Sequence, residues 1–188
     1  MTYQLKIELK ETNPTIWRRI HVNSDISLNE LHHIIQISMG WTNSHLYTFT
    51  IDNIEYTVKE YDADYVQFAN AREYTIEKAR IDGPFEYLYD FGDSWEHEIT
   101  IEKKLEGKKL MNPICLEAEG RCPPEDVGGT HGFEEFLEII KNKSHPERKS
   151  YIEWYGSVFD PDQVDLDQIN KDLTNLRQYI LEIESLQD

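Results

Sequence analysis

The stretch from Phe85 to Glu102, FEYLYDFGDSWEHEITIE, reads as two alternating strands joined by a tight turn. Side chains two apart on a strand share a face. Phe85, Tyr87, Tyr89 and Phe91 therefore share one face of the first strand, and Trp95, His97, Ile99 and Ile101 share one face of the second. Glu96, Glu98 and Glu102 take the opposite parity, toward water. Gly92-Asp93-Ser94 supplies turn chemistry between the runs. An aromatic-faced hairpin of this kind sets the core, and the other elements are expected to pack around it.

Upstream, Tyr3, Leu5, Ile7 and Leu9 alternate with polar residues, and Ile16, Ile20 and Val22 follow a break at Thr12-Asn13-Pro14, giving a first hairpin. Ser27-Leu28-Asn29-Glu30 is a capping box, with Ile26 and Leu31 placed as a hydrophobic staple. Leu28, Leu31, Ile34, Ile35 and Met39 then recur at helical spacing, and Gly40 supplies the stop. His45, Tyr47, Phe49 and Ile51 share a strand parity, Asp52-Asn53 is a two-residue turn, and Ile54, Tyr56 and Val58 return. Residues 59–80 read as a polar excursion. Met111 to Gly132 is rich in Pro and Gly and reads as a loop held by side chains. Beyond it, Phe133, Phe136, Leu137 and Ile140 mark one helix, Pro146 opens a second that ends at Gly156, and Leu166, Ile169, Leu173, Leu176 and Ile180 mark a longer terminal one.

The order β-β-α-β-β followed by the central hairpin implies an α+β fold: a mainly antiparallel, β-grasp-like sheet of about six strands with one packed helix, plus C-terminal helices. One domain over residues 1–188 is expected, with a sheet core at 1–104, the Pro/Gly loop at 105–132 and a helical cap at 133–188.

The chain has 188 residues, with 19 Lys plus Arg against 36 Asp plus Glu, a formal charge of −17. Such a charge opposes docking on nucleic acid or on an anionic membrane. Lys103, Lys104, Lys108 and Lys109 form the compact basic cluster that a nucleic-acid reading would need. No apolar run is long enough to span a bilayer, and the N-terminus lacks a signal-peptide core. With two cysteines in all, a reducing cytoplasm is expected.

Several phrases together resemble a known family. They are PTIWRRI (14–20), LNELHHIIQ (28–36), MGWTNSHLYTF (39–49), YDFGDSWEH (89–97), CPPEDVGG (122–129), FDP (159–161) and INKDL (169–173). In this order the chain resembles the plasmid pRiA4b open-reading-frame-three family, whose members are also labelled TnpR-like passengers of insertion sequences. The resemblance implies an accessory factor of a mobile element. A resolvase, which the second label suggests, is not supported: the sequence lacks a serine-recombinase signature and a basic DNA-binding tail. Phe133 stands where Tyr is common in the family.

No motif forces a reaction. His45 and His97, joined by Asp90 or Asp93, are candidates for a metal or acid/base site, weighed against two buried histidines bonded to backbone or Tyr. Lacking a compact ligand motif, the structural reading is the better supported. Glu125, Asp126 and Asp93 could present carboxylates at one rim for a divalent metal, or cap turns. Cys115 and Cys122, with His131, are a weaker zinc set, because the six-residue gap is wide for zinc. Trp17, Arg18, Arg19 and Trp41 are candidates for contact with a partner, and internal ion pairs are the ordinary use of the two arginines. The leading expectation is a binding or protein-interaction module. The alternative is a metal-dependent hydrolase using His45, Asp93, His97 and the Cys122–Asp126 loop.

Overall fold

The computed structural model describes residues 1–58, 67–79, 81, 83–107 and 109–187, the last two by backbone only. Of the segment expected as an excursion, residues 59–66 and 80 lie outside the described residues, as does Lys108 of the basic cluster, while the described part contributes a strand at Gln67–Asn70. Eight strands form one sheet: β1 (Thr2–Leu9), β2 (Ile16–Asn23), β3 (Tyr47–Ile51), β4 (Ile54–Thr57), β5 (Gln67–Asn70), β6 (Phe85–Tyr89), β7 (Trp95–Leu105) and β8 (Ile114–Glu119). Their order is β5-β4-β3-β6-β7-β1-β2-β8. Every pairing is antiparallel except β4 with β5. The α+β architecture read from the sequence is the observed one.

The central hairpin is β6 and β7, with Tyr87 opposite His97 and Tyr89 opposite Trp95. All four side chains are fully buried. The turn differs from the expected one. The strand stops at Tyr89, Asp90 takes a left-handed φ of 55°, and Phe91, expected on the buried face, is 36% exposed. A left-handed residue breaks the two-residue alternation, so parity cannot be carried past it.

Helix α1 (Leu28–Met39) begins as its sequence dictates. The Ser27 hydroxyl accepts the Glu30 amide at 3.0 Å, and a Glu30 carboxylate oxygen accepts the Ser27 amide at 2.8 Å. Gly40, at φ 91°, closes it. The helix lies against the sheet: the His32 ring stacks on Tyr47 at 3.6 Å, and its Nδ1 accepts from the Tyr87 hydroxyl at 2.8 Å. The opposite flank is covered by the C-terminal helices, with His33 edge-on to Tyr179. That two-sided cover explains why His32 and His33 are both buried.

Two further expectations are corrected. The 111–132 segment contains β8, because β2 has an open edge whose amides and carbonyls need partners. Trp17 pairs with Glu119 and Ile20 with Cys115, so Cys115 sits on a strand rather than in a loop. The long terminal helix is two, α4 (Leu166–Thr174) and α5 (Leu176–Gln187), parted at Asn175. Helices α2 (Gly129–Lys141) and α3 (Arg148–Tyr155) match the apolar spacing and the Gly156 stop. Their contact is aromatic, Phe136 meeting Tyr151, Trp154 and Tyr155.

Candidate cation site

Three loops meet at one end of the sheet. They are 42–46, leading into β3; the β6–β7 turn at 90–94; and 123–128, leading into α2. Each carries an Asn or Asp in the left-handed region: Asn43 at 59°, Asp90 at 55° and Asp126 at 56°. These residue types tolerate that conformation best after glycine, and such strained positions cluster at functional sites.

Each loop is pinned from within. Asn43 Oδ1 accepts from His32 Nε2 at 2.5 Å, and its amide donates to Gln36 Oε1 at 3.1 Å. The Asp90 amide donates to the Leu46 carbonyl at 2.9 Å, and Asp90 Oδ1 accepts the Gly92 amide at 2.9 Å. Asp93 Oδ2 accepts the Gly128 amide at 3.1 Å, fastening the third loop to the hairpin turn. Trp41 is 5% exposed and donates its indole N–H to the Pro123 carbonyl at 3.1 Å. The loop also packs tightly on itself. A Cβ added at Gly132 would lie 2.0 Å from the Val127 carbonyl oxygen, on rigid backbone. Gly132→Ala is therefore expected to destabilise the chain by about 1–3 kcal/mol, read as a lower urea midpoint.

The convergence brings His45 Nε2 to 3.5 Å from Asp90 Oδ2, 3.3 Å from Asp126 Oδ1 and 3.8 Å from Glu125 Oε2. Donor atoms of His45, Asp90 and Asp126 all lie within 4.8 Å of one another. Adjacent ligands of one ion, each about 2.1 Å from it, sit roughly 3–3.5 Å apart, so the spacing fits a shared cation. His45 Nε2 is shielded from solvent and has no hydrogen-bond partner among the described residues. An orphaned buried donor or acceptor is costly and asks for a partner. One imidazole with two or three carboxylates is a mixed donor set suited to Mn²⁺ or Zn²⁺.

Glu125 is held on the other side of the cluster. Its Oε1 accepts from the Thr42 amide at 2.8 Å, the Thr42 hydroxyl at 3.1 Å and the Tyr89 hydroxyl at 3.1 Å. Burial, and then the Glu125 charge, push the Tyr89 hydroxyl well above its usual range, so Tyr89 stays a donor. Tyr89 also accepts the Ser44 amide at 3.0 Å, tying two loops and a strand together. These supports orient a carboxylate as outer-shell groups do in metal sites.

Of the residues singled out from sequence, His45, Glu125 and Asp126 come together, and Asp90 joins them rather than Asp93. The left-handed turn at Asp90 aims its carboxylate at His45, while Asp93 braces the loop. His97 is fully buried, with Nδ1 within 2.9 Å of the Trp95 carbonyl and its ring edge-on to Trp41 at 5.4 Å. Burial draws its pKa down to about 4, so it is a neutral core residue. His131 is exposed on α2, and Cys115 and Cys122 are buried free thiols. Among the described residues none of these three belongs to a group of three donors. Burial pushes the Cys115 thiol up to about 11 and Cys122 further still.

The partner candidates are mostly engaged inside the chain. Trp17 Nε1 donates to Glu119 at 2.7 Å, under the Arg19 guanidinium at 4.9 Å. Arg19 forks onto Glu102 at 2.7 and 2.9 Å and also pairs with Glu117. Arg18, expected in an ion pair, instead donates to main-chain carbonyls. In the basic cluster Lys104 lies over the Tyr3 ring and Lys109 pairs with Asp25. Tyr89 and Thr42 were not foreseen as supports. Tyr89 reads as one more core aromatic, and nothing local links Thr42 to a residue 83 positions away.

Residues 1–168 match the family described as "Plasmid pRiA4b ORF-3-like protein". The chain belongs to this family. It is 38% identical over 181 residues to "Uncharacterized protein y4hQ" of Sinorhizobium fredii (strain NBRC 101917 / NGR234), covering 92% of this chain and 91% of the relative. Among solved structures it resembles the "Protein of Unknown Function MM3350" from Methanosarcina mazei Go1, at 31% identity and a TM-score of 0.77, over 89% of this chain and 95% of that one. This chain and that solved structure thus share a fold over nearly their whole lengths. No described helix is long and apolar enough to cross a membrane.

Proposed function

We propose that this pRiA4b ORF-3-like protein is a binding module for a divalent cation, held by His45, Asp90 and Asp126 with Glu125 beside them. The observation that carries the reading is His45 Nε2: buried, without a hydrogen-bond partner among the described residues, and ringed by three carboxylates at 3.3–3.8 Å. Those carboxylates come from two other loops, each braced by its own hydrogen bonds, so the cluster is held ready for a ligand rather than collapsed onto a lysine or arginine. The family's plasmid-derived name supports an accessory role on a mobile element, and two free thiols suit the cytoplasm.

Calorimetric titration of chelator-treated protein with Mn²⁺ or Zn²⁺ tests the reading. One cation per chain is expected. His45→Ala is expected to weaken it by about 100-fold, at or beyond the upper range for loss of an outer-shell partner. Asp126→Asn, whose side chain is 73% exposed, is expected to weaken it about tenfold with stability unchanged within about 0.5 kcal/mol. Equal affinity in all three proteins, or no saturable binding, contradicts the assignment.

A further inference from the structure

Arg18 is 2% exposed and has no carboxylate partner among the described residues. Its Nε donates to the Ser38 carbonyl at 2.7 Å, and its Nη1 faces the carbonyls of Trp17, Glu119 and Gly120 at 2.8, 3.0 and 3.0 Å. All four bonds use those two nitrogens, so Nη2 has no protein acceptor among the described residues. The ionisable groups that bear on its charge are the thiols of Cys122 and Cys115, which burial keeps neutral. This buried guanidinium, in a chain of net charge −17, thus has no ion-pair partner among the described residues. Buried charges are ordinarily paired, and an unpaired one is costly.

Arg18 also lines a cavity of about 300 Å³ between the end of α1, the strand exit at Arg121 and the start of α4. Arg121 lines it too. Its guanidinium lies over the rings of Tyr155 and Phe159 at 5.6 and 5.2 Å and donates once, from Nη1 to Gln163 Oε1 at 2.9 Å. Two carboxylates also line the wall, and each is held at one oxygen by Gln168. Asp165 Oδ1 accepts the Gln168 amide at 2.9 Å, and Asp172 Oδ1 accepts from Gln168 Nε2 at 2.8 Å.

We propose that this cavity binds a small oxyanion, a phosphate or carboxylate group, between the free donors of Arg18 and Arg121. The ligand would give Arg18 the direct anionic partner that no described carboxylate supplies, through charge-assisted hydrogen bonds to guanidinium groups. The inference does not rest on the cation site, which shares none of these residues.

The test uses the full chain, stripped of metal with EDTA and then dialysed free of it so that no cation site is loaded and no chelator competes, with inorganic phosphate and acetate as separate probes. Arginine side-chain Nε–Hε resonances are followed by NMR. Saturable movement of the Arg18 resonance is expected, with affinity falling about tenfold in Arg121→Gln and less in Arg121→Lys. Stronger binding of phosphate identifies a phosphate ligand, and stronger binding of acetate identifies a carboxylate one. An Arg18 resonance that neither anion moves saturably overturns the proposal, as does equal affinity in the wild type and a folded Arg121 variant. Such a result would make Arg18 a strut whose charge is solvated by main-chain carbonyls alone.

Discussion

Between pH 6.5 and about 4 the metal-free fold is expected to lose roughly 3 kcal/mol for each of His33 and His97. Burial lowers both from 6.5 to about 4, and lowers His32 in the same direction. A base whose folded pKa is depressed is neutral in the native state while its unfolded counterpart takes up a proton. Its contribution is therefore complete above pH 6.5 and is lost as pH falls toward the folded value. The cost at His97 follows from its place: fully buried, between main-chain carbonyls and the Trp41 ring, with no carboxylate among the causes of its shift. Urea midpoints at pH 7 and 4.5 check this. His97→Phe removes the titrating group and should flatten the slope by close to one proton, even if it lowers stability at pH 7. An unchanged slope in that variant would place the acid sensitivity elsewhere.

Trp95→Ala is expected to cost about 3–5 kcal/mol, a large share of a typical fold's stability of about 5–15 kcal/mol. Trp95 is fully buried opposite Tyr89 and 6.0 Å from the Trp41 ring. Its indole Nε1 is buried without a hydrogen-bond partner among the described residues, so the side chain contributes through packing. Trp95→Phe keeps a ring and gives up no hydrogen bond, and a loss of about 1–2 kcal/mol is expected by the scale of partial core truncations. The order Ala far worse than Phe, measured by urea denaturation, is the expected outcome. Equal losses would mean that the indole nitrogen matters.

The elements with strong local signals were legible. Ser27 and Glu30 announce the start of α1, and Asp52-Asn53, both in the left-handed region, announce the β3–β4 hairpin. Alternation places Tyr87, Tyr89, Trp95 and His97 inward, as observed. What escaped depends on distant partners. Residues 114–119 become a strand because β2 offers an edge, and α1 is buried on both flanks because α4 and α5 fold back over it. The site was half legible. His45, Glu125 and Asp126 are polar residues in turn-rich segments, but His45 precedes β3 instead of lying on it. The choice of Asp90 over Asp93 turns on one backbone angle that composition does not encode. His97 shares the parity of the core aromatics, and burial makes it a structural residue.

Electron spin-echo envelope modulation of Mn²⁺-loaded protein tests the central claim most directly, because it detects the nitrogen of a bound imidazole. Coupling to one histidine nitrogen is expected in the wild type and in His97→Phe, and its loss is expected in His45→Ala. Mn²⁺ without nitrogen coupling, or coupling that survives in His45→Ala, would contradict the assignment of His45 to a cation.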